Sequence, residues 1–452
     1  MRKFLDVNFT DLNINNTILR AIEEVGYTTP TPIQEKAFPV IMSGRDMIGI
    51  AQTGTGKTWA YLLPLIRMYK YTKSMHPTML VLVPTRELVL QVVEEAEKLS
   101  EFSNLRVGGF YGGTNINTQK EKAFHGLDLV VSTPGRLYDL GRIGALRLKH
   151  INKLVIDEVD EMLNLGFRHQ LLNLFDLLPE RRQNLLFSAT LTDEVESLLD
   201  TFFNFPKRIE ATPVGTPLDN ISQRAYHVPN FNTKVNLLER LLDDHPEMDK
   251  VLVFSATKKL CDVLFERLNE KYPERVGVIH SNKAQNNRFN SVNSFKDGTY
   301  RALIATDLIA RGLDVAEVSH VVNFDIPEEA ESYIHRIGRT GRADAEGIAL
   351  SFITEKDAAA IEAIEKLMSY QIPVEPTPED LPISDELIEA EKPQVFMKNL
   401  AINLPDLEKS GGAFHEKAAK NKKVNKKVRY ADKMKMKYKK PKTRGQKKKG
   451  RK

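Results

Sequence analysis

The residues best suited to chemistry lie in a short loop rich in glycine and threonine. In chain order they are Ala51, Gln52, Thr53, Gly54, Thr55, Gly56, Lys57 and Thr58. The loop follows an apolar run at 47–50 and opens a helix-like stretch, which is the setting of a phosphate-binding loop. Glycines let backbone N–H groups converge on phosphate oxygens, and the helix N-terminus adds positive potential. We therefore expect Lys57 to reach the β- and γ-phosphates of a nucleotide, and the Thr58 hydroxyl to bind Mg²⁺.

A pair of carboxylates, Asp157 and Glu158, directly follows another apolar run at 154–156. At the carboxyl end of a strand, such a pair lies beside the phosphate-binding loop of a doubly wound sheet. We expect Asp157 to hold Mg²⁺ through water, and Glu158 to orient and activate the attacking water. An acidic pair after a strand is more often a solvated loop, but the glycine-rich loop earlier in the chain favours the catalytic interpretation.

Short apolar runs indicate which elements position these residues. The first half has runs at 47–50, 79–83, 129–131, 154–156 and 185–187, and the second half at 251–254, 276–279, 302–305, 321–322 and 348–353. Runs this short, rich in Val and Ile, are typical of buried parallel strands. They alternate with helix-like stretches, which predicts βαβ units, and the pattern occurs twice. The sequence therefore predicts an α/β protein with two tandem doubly wound parallel-sheet domains.

Composition and charge suggest where these domains end. The predicted segments are a first domain at 1–208, a Pro- and Gly-rich linker at 209–220, a second domain at 221–372, an acidic accessory segment at 373–410 with a helix at 384–391, and a disordered basic tail at 411–452. The tail has 19 Lys and Arg residues against two acids, Glu416 and Asp432, a net charge of +17. Because the whole chain carries +5, the rest carries −12. A basic tail on an acidic body predicts a polyanionic partner.

Other classes of protein fit the composition less well. No stretch has the ~20 apolar residues that a membrane span needs, and the N-terminus lacks the features of a signal peptide. The only cysteine is Cys261, so no internal disulfide is possible, and the histidines form no ligand-spaced cluster with it. We expect a cytoplasmic monomer without membrane contact or a metal cluster.

The residues 157–160, Asp-Glu-Val-Asp, resemble the signature of the DEAD-box RNA helicases, with Val159 where that family has Ala. Further motifs resemble the family's in the same order. They are 26–34 with Phe9 upstream, 84–88, 112–113, 133–136, 188–190, Gln285 with Arg288, 306–307, 311–314 and 335–342. The chain departs from the family at Val159, at Ser281-Asn282 and at Trp59. The resemblance implies two RecA-like domains that couple ATP hydrolysis to opening and closing on single-stranded RNA.

The resemblance also implies how the nucleotide is recognised. Gln34 would read adenine, because its amide donates and accepts at once, and Tyr27 would stack on the base with Phe9 nearby. Gly312 and Asp314 would also contact ATP. Arg339 and Arg342 would be arginine fingers for the γ-phosphate, since a planar guanidinium neutralises two oxygens together. Arg336 would bridge the domains, and the hydroxyls of Ser188 and Thr190 would bond Asp160 to couple hydrolysis to closure.

The RNA contacts implied by the resemblance lie in both domains. They are Pro84, Thr85, Arg86, Gly113, Thr133, Pro134, Gly135, Arg136, Gln285, Arg288, Thr306 and Asp307. Backbone N–H groups, hydroxyls and guanidinium groups hold phosphates without reading bases, and contacts to 2′-hydroxyls favour RNA over DNA. Independently of the resemblance, the charge of the basic tail predicts binding to ribosomal or other structured RNA, or a role in solubility only; it does not distinguish rRNA, mRNA and membrane phosphates as targets.

The implied function is an RNA-stimulated ATPase that unwinds RNA locally or remodels RNA–protein complexes. Two alternatives stay open. A non-catalytic RNA clamp would keep the fold without turnover, and a DNA translocase would be stimulated by DNA instead of RNA.

Overall fold

A computed structural model describes residues 7–51, 54–210, 220–307, 318–341 and 346–392, together with Lys433 and Lys437. The described residues up to Lys392 belong to one compact unit. The predicted basic tail and most of the predicted linker therefore lie outside the described residues.

The first half of the chain folds around a parallel sheet of seven strands. They are β1 Met47–Ile50, β2 Met79–Leu82, β3 Val107–Phe110, β4 Leu129–Ser132, β5 Lys153–Asp157, β6 Gln183–Ser188 and β7 Lys207–Glu210, in the order β3-β4-β2-β5-β6-β1-β7. The helices are α1 Asn16–Val25, α2 Pro32–Met42, α3 Lys57–Met68, α4 Arg86–Leu99, α5 Ile116–Phe124, α6 Pro134–Arg142, α7 Val159–Asn164, α8 Arg168–Phe175 and α9 Asp193–Phe202.

The second half repeats this architecture. Its strands are β8 Ile221–His227, β9 Val251–Phe254, β10 Val276–Ile279, β11 Ala302–Ala305, β12 His320–Asn323, β13 Gly347–Ile353 and β14 Val374–Glu375, in the order β10-β11-β9-β12-β13-β8-β14. Its described helices are α10 Phe231–Asp244, α11 Lys258–Lys271, α12 Gln285–Lys296, α13 Ala330–Ile337 and α14 Ala358–Met368. Among the described helices, none combines the length and apolar character needed to cross a bilayer.

Alternate residues of the buried strands enter the cores on opposite faces of each sheet. Met47 and Leu185 belong to one apolar cluster, whereas their neighbours Ile48 and Leu186 belong to another. Both faces are covered by helices, so the strands are apolar throughout. The carboxyl ends of the strands then share one edge, where loops lead into helices that carry the candidate site.

Every apolar run predicted as a strand is a strand, and four further strands were missed. β3 contains Gly108 and Gly109, which weaken the apolar signal, and β14 has only two residues. β7 has a single apolar residue, Ile209, and β8 largely alternates buried and exposed residues, so neither forms an apolar run. Because β7 pairs with β1, the first sheet continues to Glu210, beyond the end predicted at 208.

The helix predicted at 384–391 is wrong. This stretch has no regular helix and runs along α10, where asparagine amides of α10 and its N-cap donate to two backbone carbonyls of the stretch and to one just before it. The pairs are Asn230 with Ser384, Asn232 with Glu386, and Asn236 with Pro382. The Glu391 carboxylate also accepts from the Phe231 N–H at 2.6 Å. Side chains of α10 thus satisfy carbonyls that helical N–H groups would otherwise bind.

Candidate nucleotide and RNA sites

The phosphate-binding loop connects β1 to α3, as the sequence predicted. Gly54 and Gly56 have φ of 84° and 86°, in the left-handed region that favours glycine. A Cβ on Gly56 would lie 2.5 Å from Gln34 Nε2, so no larger residue fits without moving this side chain. Ala51 N–H donates to Ser188 O at 3.0 Å, which holds the start of the loop to β6. Gln52 and Thr53 lie outside the described residues.

Two buried charged groups beside this loop lack hydrogen-bond partners among the described residues. They are the Lys57 ammonium Nζ and the Glu158 carboxylate oxygen Oε2. Buried polar atoms are normally paired, so atoms of this kind indicate a place where a ligand completes the bonding. An ammonium fits phosphate oxygens, and a carboxylate oxygen fits a water molecule. The residues present therefore fit a nucleoside triphosphate with its attacking water.

The carboxylate pair lies at the turn from β5 into α7. Glu158 has φ 53° and ψ 51°, a left-handed conformation that is uncommon for a side chain of this size and is often found at functional sites. Asp157 accepts from the Glu158 N–H at 3.0 Å and from the Tyr61 hydroxyl at 3.0 Å. The backbone and Tyr61 thus orient the first carboxylate, and the turn directs the second.

Burial governs the protonation of this pair. Desolvation raises the pKa of Glu158 to about 7; the negative charge of Asp157 adds to this, while the positive charges of Lys57 and Arg339 oppose it. Burial also raises the pKa of Asp157, and Lys57 again opposes it. A carboxylate whose pKa lies near neutrality is suited to accept a proton from water.

Tyr61 is a site residue that was not predicted from the sequence. Its buried hydroxyl donates to Asp157, and desolvation raises the pKa of the phenol well above its ordinary value, with Asp157 contributing. Tyr61 lies four residues after Lys57 on α3, one helical turn along the same face. That spacing was the signal available in the sequence.

The adenine end of the site differs in part from the prediction. Gln34 lies on α2, where its Oε1 accepts from the Thr31 N–H at 3.0 Å and its Nε2 donates to Gly56 O at 3.1 Å. This amide therefore ties α2 to the phosphate-binding loop. The Tyr27 ring is 57% exposed, whereas Phe9 is only 4% exposed. Of the two predicted aromatic rings, the structure offers Tyr27 to a base and packs Phe9 in the core.

The predicted coupling contact forms through Thr190 but not through Ser188. Asp160 Oδ2 accepts from the Thr190 hydroxyl at 3.0 Å and from the N–H groups of Ala189 and Thr190 at 3.1 and 3.0 Å. The Ser188 hydroxyl donates to Thr190 O at 2.6 Å instead. The expectation that Ser188 bonds Asp160 is wrong, because Ser188 is the last residue of β6 and its hydroxyl closes the turn that follows.

The arginines of the second domain have distinct environments. Arg339 is 5% exposed and donates from Nε to His335 O at 3.3 Å, and its charge acts on Glu158 of the first domain. Arg342, Gly312 and Asp314 lie outside the described residues.

Among the described residues, the hydrogen bonds of Arg336 lie within the second domain, so its expected bridging role stays a prediction. Its guanidinium pairs with both oxygens of Asp307 at 2.5 and 2.7 Å and donates to Asp325 O at 2.6 Å. All these partners belong to the second domain, because the guanidinium is buried there against Phe254. Asp307 was predicted to bind RNA, but in the structure its carboxylate holds Arg336.

Two helix N-termini form the candidate RNA surface of the first domain. Thr85 caps α4 after β2, with Pro84 before it, and Thr133 precedes α6 after β4. At Gly135, in the first turn of α6, a Cβ would meet nothing within 4 Å, so the backbone there is accessible. Helix N-termini with open backbone N–H groups are suited to phosphates. Thr306 follows β11 in the second domain and is 9% exposed.

The candidate RNA-binding arginines already have protein partners. Arg86 donates to Gln285 Oε1 of the second domain at 3.0 Å, and Arg288 pairs with Glu87 of the first domain. These two contacts join the domains, and no role for Glu87 was predicted from the sequence.

Two other predicted RNA-binding residues also make contacts within the first domain. Arg136 donates to Gln119 Oε1 at 2.7 Å and to Thr114 O at 2.9 Å. Gly113 has φ 80°, and a Cβ there would collide with the Arg86 guanidinium.

Comparison with known proteins agrees with this geometry. Residues 31–198 match the family model described as DEAD/DEAH box helicase, and residues 233–344 match the helicase conserved C-terminal domain. A DEAD-box ATP-dependent RNA helicase, CshA of Geobacillus kaustophilus, is 40% identical over 359 residues, covering 79% of this chain and 76% of the relative.

Solved structures resemble the chain across both halves. S. cerevisiae Dbp5 bound to RNA and ADP BeF3 has a TM-score of 0.74 at 30% identity, covering 82% of this chain and 95% of the other. Mss116p bound to ssRNA and AMP-PNP has a TM-score of 0.77 at 26% identity, covering 84% of this chain and 81% of the other.

Proposed function

The chain belongs to the DEAD-box family of ATP-dependent RNA helicases, and from this premise we propose how its residues carry out the reaction. It is an RNA-stimulated ATPase with two RecA-like domains, which couples ATP hydrolysis to local separation of RNA strands or to remodelling of RNA–protein complexes. The observation that carries the proposal is the pair of buried, unpartnered groups, Lys57 Nζ and Glu158 Oε2, with Arg339 of the second domain acting on the same carboxylate.

In the first domain, different residues act on the phosphates, the attacking water, Mg²⁺ and the adenine base. Lys57 neutralises charge on the β- and γ-phosphates, and Glu158 orients the attacking water and accepts its proton. Thr58 directly, and Asp157 through water, would hold Mg²⁺, which supplies further charge neutralisation at the phosphates and usually keeps several of its waters. Gln34 and Tyr27 receive adenine, with Gln34 also fixing the loop through Gly56.

Arg339 and Arg342 supply positive charge from the second domain as the γ-phosphate leaves, with Gly312 and Asp314 at the same nucleotide. Hydrolysis therefore requires both domains on one ATP. The bond between Asp160 and Thr190 links the turn after β5, which carries Glu158, to the end of β6. A shift of this turn when the γ-phosphate leaves is therefore transmitted to β6. Arg336 acts indirectly, because it holds Asp307 in place within the second domain.

RNA is held through its phosphates at the N-termini of α4 and α6. This surface is positioned by four side chains, those of Arg86, Arg136, Gln285 and Arg288, and Thr306 lies on the corresponding face of the second domain.

We further propose that the basic tail at 411–452 anchors ribosomal or other structured RNA, and that the protein is a cytoplasmic monomer.

Phosphate release tests the proposal most simply. ATPase activity of the full chain is measured without nucleic acid, with single-stranded RNA and with DNA of the same sequence. RNA should stimulate turnover well above DNA, and Glu158→Gln should abolish it while ATP still binds. The exposed residue Glu24 provides a matched control, because Glu24→Gln makes the same chemical change on α1, outside the site. Turnover with DNA alone would indicate a translocase, and no turnover would indicate a clamp.

A further inference from the structure

A cluster of three aromatic rings lies beside the adenine end of the site, and its central member has no role so far. Trp59, the only tryptophan of the chain, follows Thr58 on α3 and is 6% exposed. Its ring meets the Tyr27 ring edge-on, with centroids 5.0 Å apart and an angle of 80°. Its ring also lies near that of buried Phe9, with centroids 6.3 Å apart and an angle of 55°. Trp59 thus neighbours both a ring in the core and a ring that is open to solvent.

The indole is fixed in place from a second helix. Its Nε1–H donates to Glu95 Oε2 on α4 at 2.6 Å, and the other carboxylate oxygen of Glu95 accepts from Lys98 at 3.1 Å. Both oxygens of Glu95 therefore have partners, which holds the acceptor in one position. Because the Trp59 ring is buried and its N–H is bonded to a charged acceptor, its orientation is fixed by packing and by a strong hydrogen bond.

We propose that Trp59 is a positioning residue for adenine, which holds the Tyr27 ring at the angle that receives the base. The inference rests on the proposed function, in which Tyr27 stacks on adenine. Tyr27 is more than half exposed, so without the edge contact its ring would take several orientations in the free protein. Fixing the ring before the base arrives removes that ordering cost from binding. Phe9 supports Trp59 from the core and acts on the base only through it.

A double-mutant cycle on the full chain tests this role. Trp59→Leu should raise the KM for ATP by roughly 3- to 10-fold, the range expected for an aromatic pair, while kcat at saturating ATP and RNA stays within about 2-fold. Tyr27→Ala should have a similar effect. The double variant should be little worse than Tyr27→Ala alone, because Trp59 acts through Tyr27. The preference for ATP over GTP should fall in all three variants.

Further variants separate positioning from stability. Phe175→Leu removes a ring stacked on Phe202, in the other core of the same domain, and should lower the melting temperature without changing the KM for ATP. Trp59→Phe keeps a ring and should retain part of the ATP over GTP preference. Multiplicative effects of Trp59→Leu and Tyr27→Ala, or an unchanged KM in Trp59→Leu, would overturn the inference. Wild-type protein without RNA-stimulated turnover would instead contradict the proposed function.

Discussion

The nucleotide site and the RNA surface both contain buried charges, but they differ in how far these are bonded to protein. On the RNA surface, Arg136 Nε and Arg288 Nε lack a partner among the described residues, yet the other nitrogens of each guanidinium donate to protein groups. Lys57 Nζ and Glu158 Oε2 have no partner among the described residues, whereas Arg86, Arg136 and Arg288 each bond to protein groups. Unpaired buried charge costs folding free energy and is tolerated where a ligand uses it. The comparison implies that ATP meets groups already directed at it, while RNA meets backbone N–H groups positioned by paired arginines.

The largest difference between the regions should appear in turnover. Arg339→Ala should lower kcat by ~10³-fold with little change in ATP affinity, because an arginine finger acts on transition-state charge. Arg86→Ala should instead raise the RNA concentration for half-maximal stimulation several-fold and leave kcat nearly intact. Steady-state ATPase rates over ATP and RNA titrations give kcat, the KM for ATP and the RNA concentration for half-maximal stimulation of each variant. The exposed Arg208→Ala serves as a control for loss of an arginine. Similar kcat losses at Arg339 and Arg86 would remove the distinction.

Stability should show the cost of the unpaired carboxylate. Burial raises the pKa of Glu158 from 4.5 to about 7 in the folded protein. Below pH 4.5 the carboxyl is protonated in the folded and the unfolded chain alike, so it costs no stability. As the pH rises through 7 the folded protein must bury the charged form, and stability is lost. Glu158→Gln should therefore be more stable than wild type above pH 7, by on the order of 3 kcal/mol in the free energy of unfolding. The advantage should shrink toward pH 4.5. Thermal unfolding of nucleotide-free protein across pH 5 to 8.5 would show this, and a constant offset would argue against it.

Because Glu87 and Arg288 pair across the two domains, the effects of changing them on RNA binding should depend on each other. Glu87→Ala leaves the Arg288 guanidinium buried without its carboxylate, so we expect weaker RNA binding in the presence of a non-hydrolysable ATP analogue. Arg288→Ala should weaken it too, and the double variant should cost less than the two single effects combined. Fluorescence anisotropy of labelled RNA gives the RNA affinity of wild type, the two single variants and the double variant. Independent effects would mean that the pair does not join the domains in the RNA-bound state.

The smallest effect on chemistry should come from the tail. Its charge of +17 against −12 for the rest suggests that it supplies sequence-independent affinity. Each neutralised phosphate of a single strand contributes about −0.7 to the slope of log K against log salt. If roughly a third of its cations touch RNA, truncation after Ser410 should flatten the slope by ~4. The rate at saturating RNA should hardly change. An unaltered slope would exclude the tail as an RNA anchor.

The sequence predicted the parts of the site that are local in the chain. The glycine loop, the carboxylate pair and the apolar strands each follow from neighbouring residues, and the first-domain groups lie together because parallel strands end at one edge. The contacts made across long stretches of chain did not follow. The burial of Phe9, the pairing of Glu87 with Arg288 and the Gln34 bond to Gly56 depend on packing that no local pattern encodes. The irregular course of 384–391 likewise depends on asparagine amides of α10 and its N-cap.

In the proposed mechanism, Arg339 of the second domain and Glu158 of the first act on one ATP. The pH dependence of kcat/KM for ATP at saturating RNA reports the pKa values of the nucleotide-free enzyme, and the charge of Arg339 lowers that of Glu158. Comparing wild type with Arg339→Ala and Arg339→Lys therefore tests the contact itself. Arg339→Ala should move the acid limb of the profile to higher pH, and Arg339→Lys should largely restore its position. A uniform loss of rate at every pH, with the limb unmoved, would contradict the account.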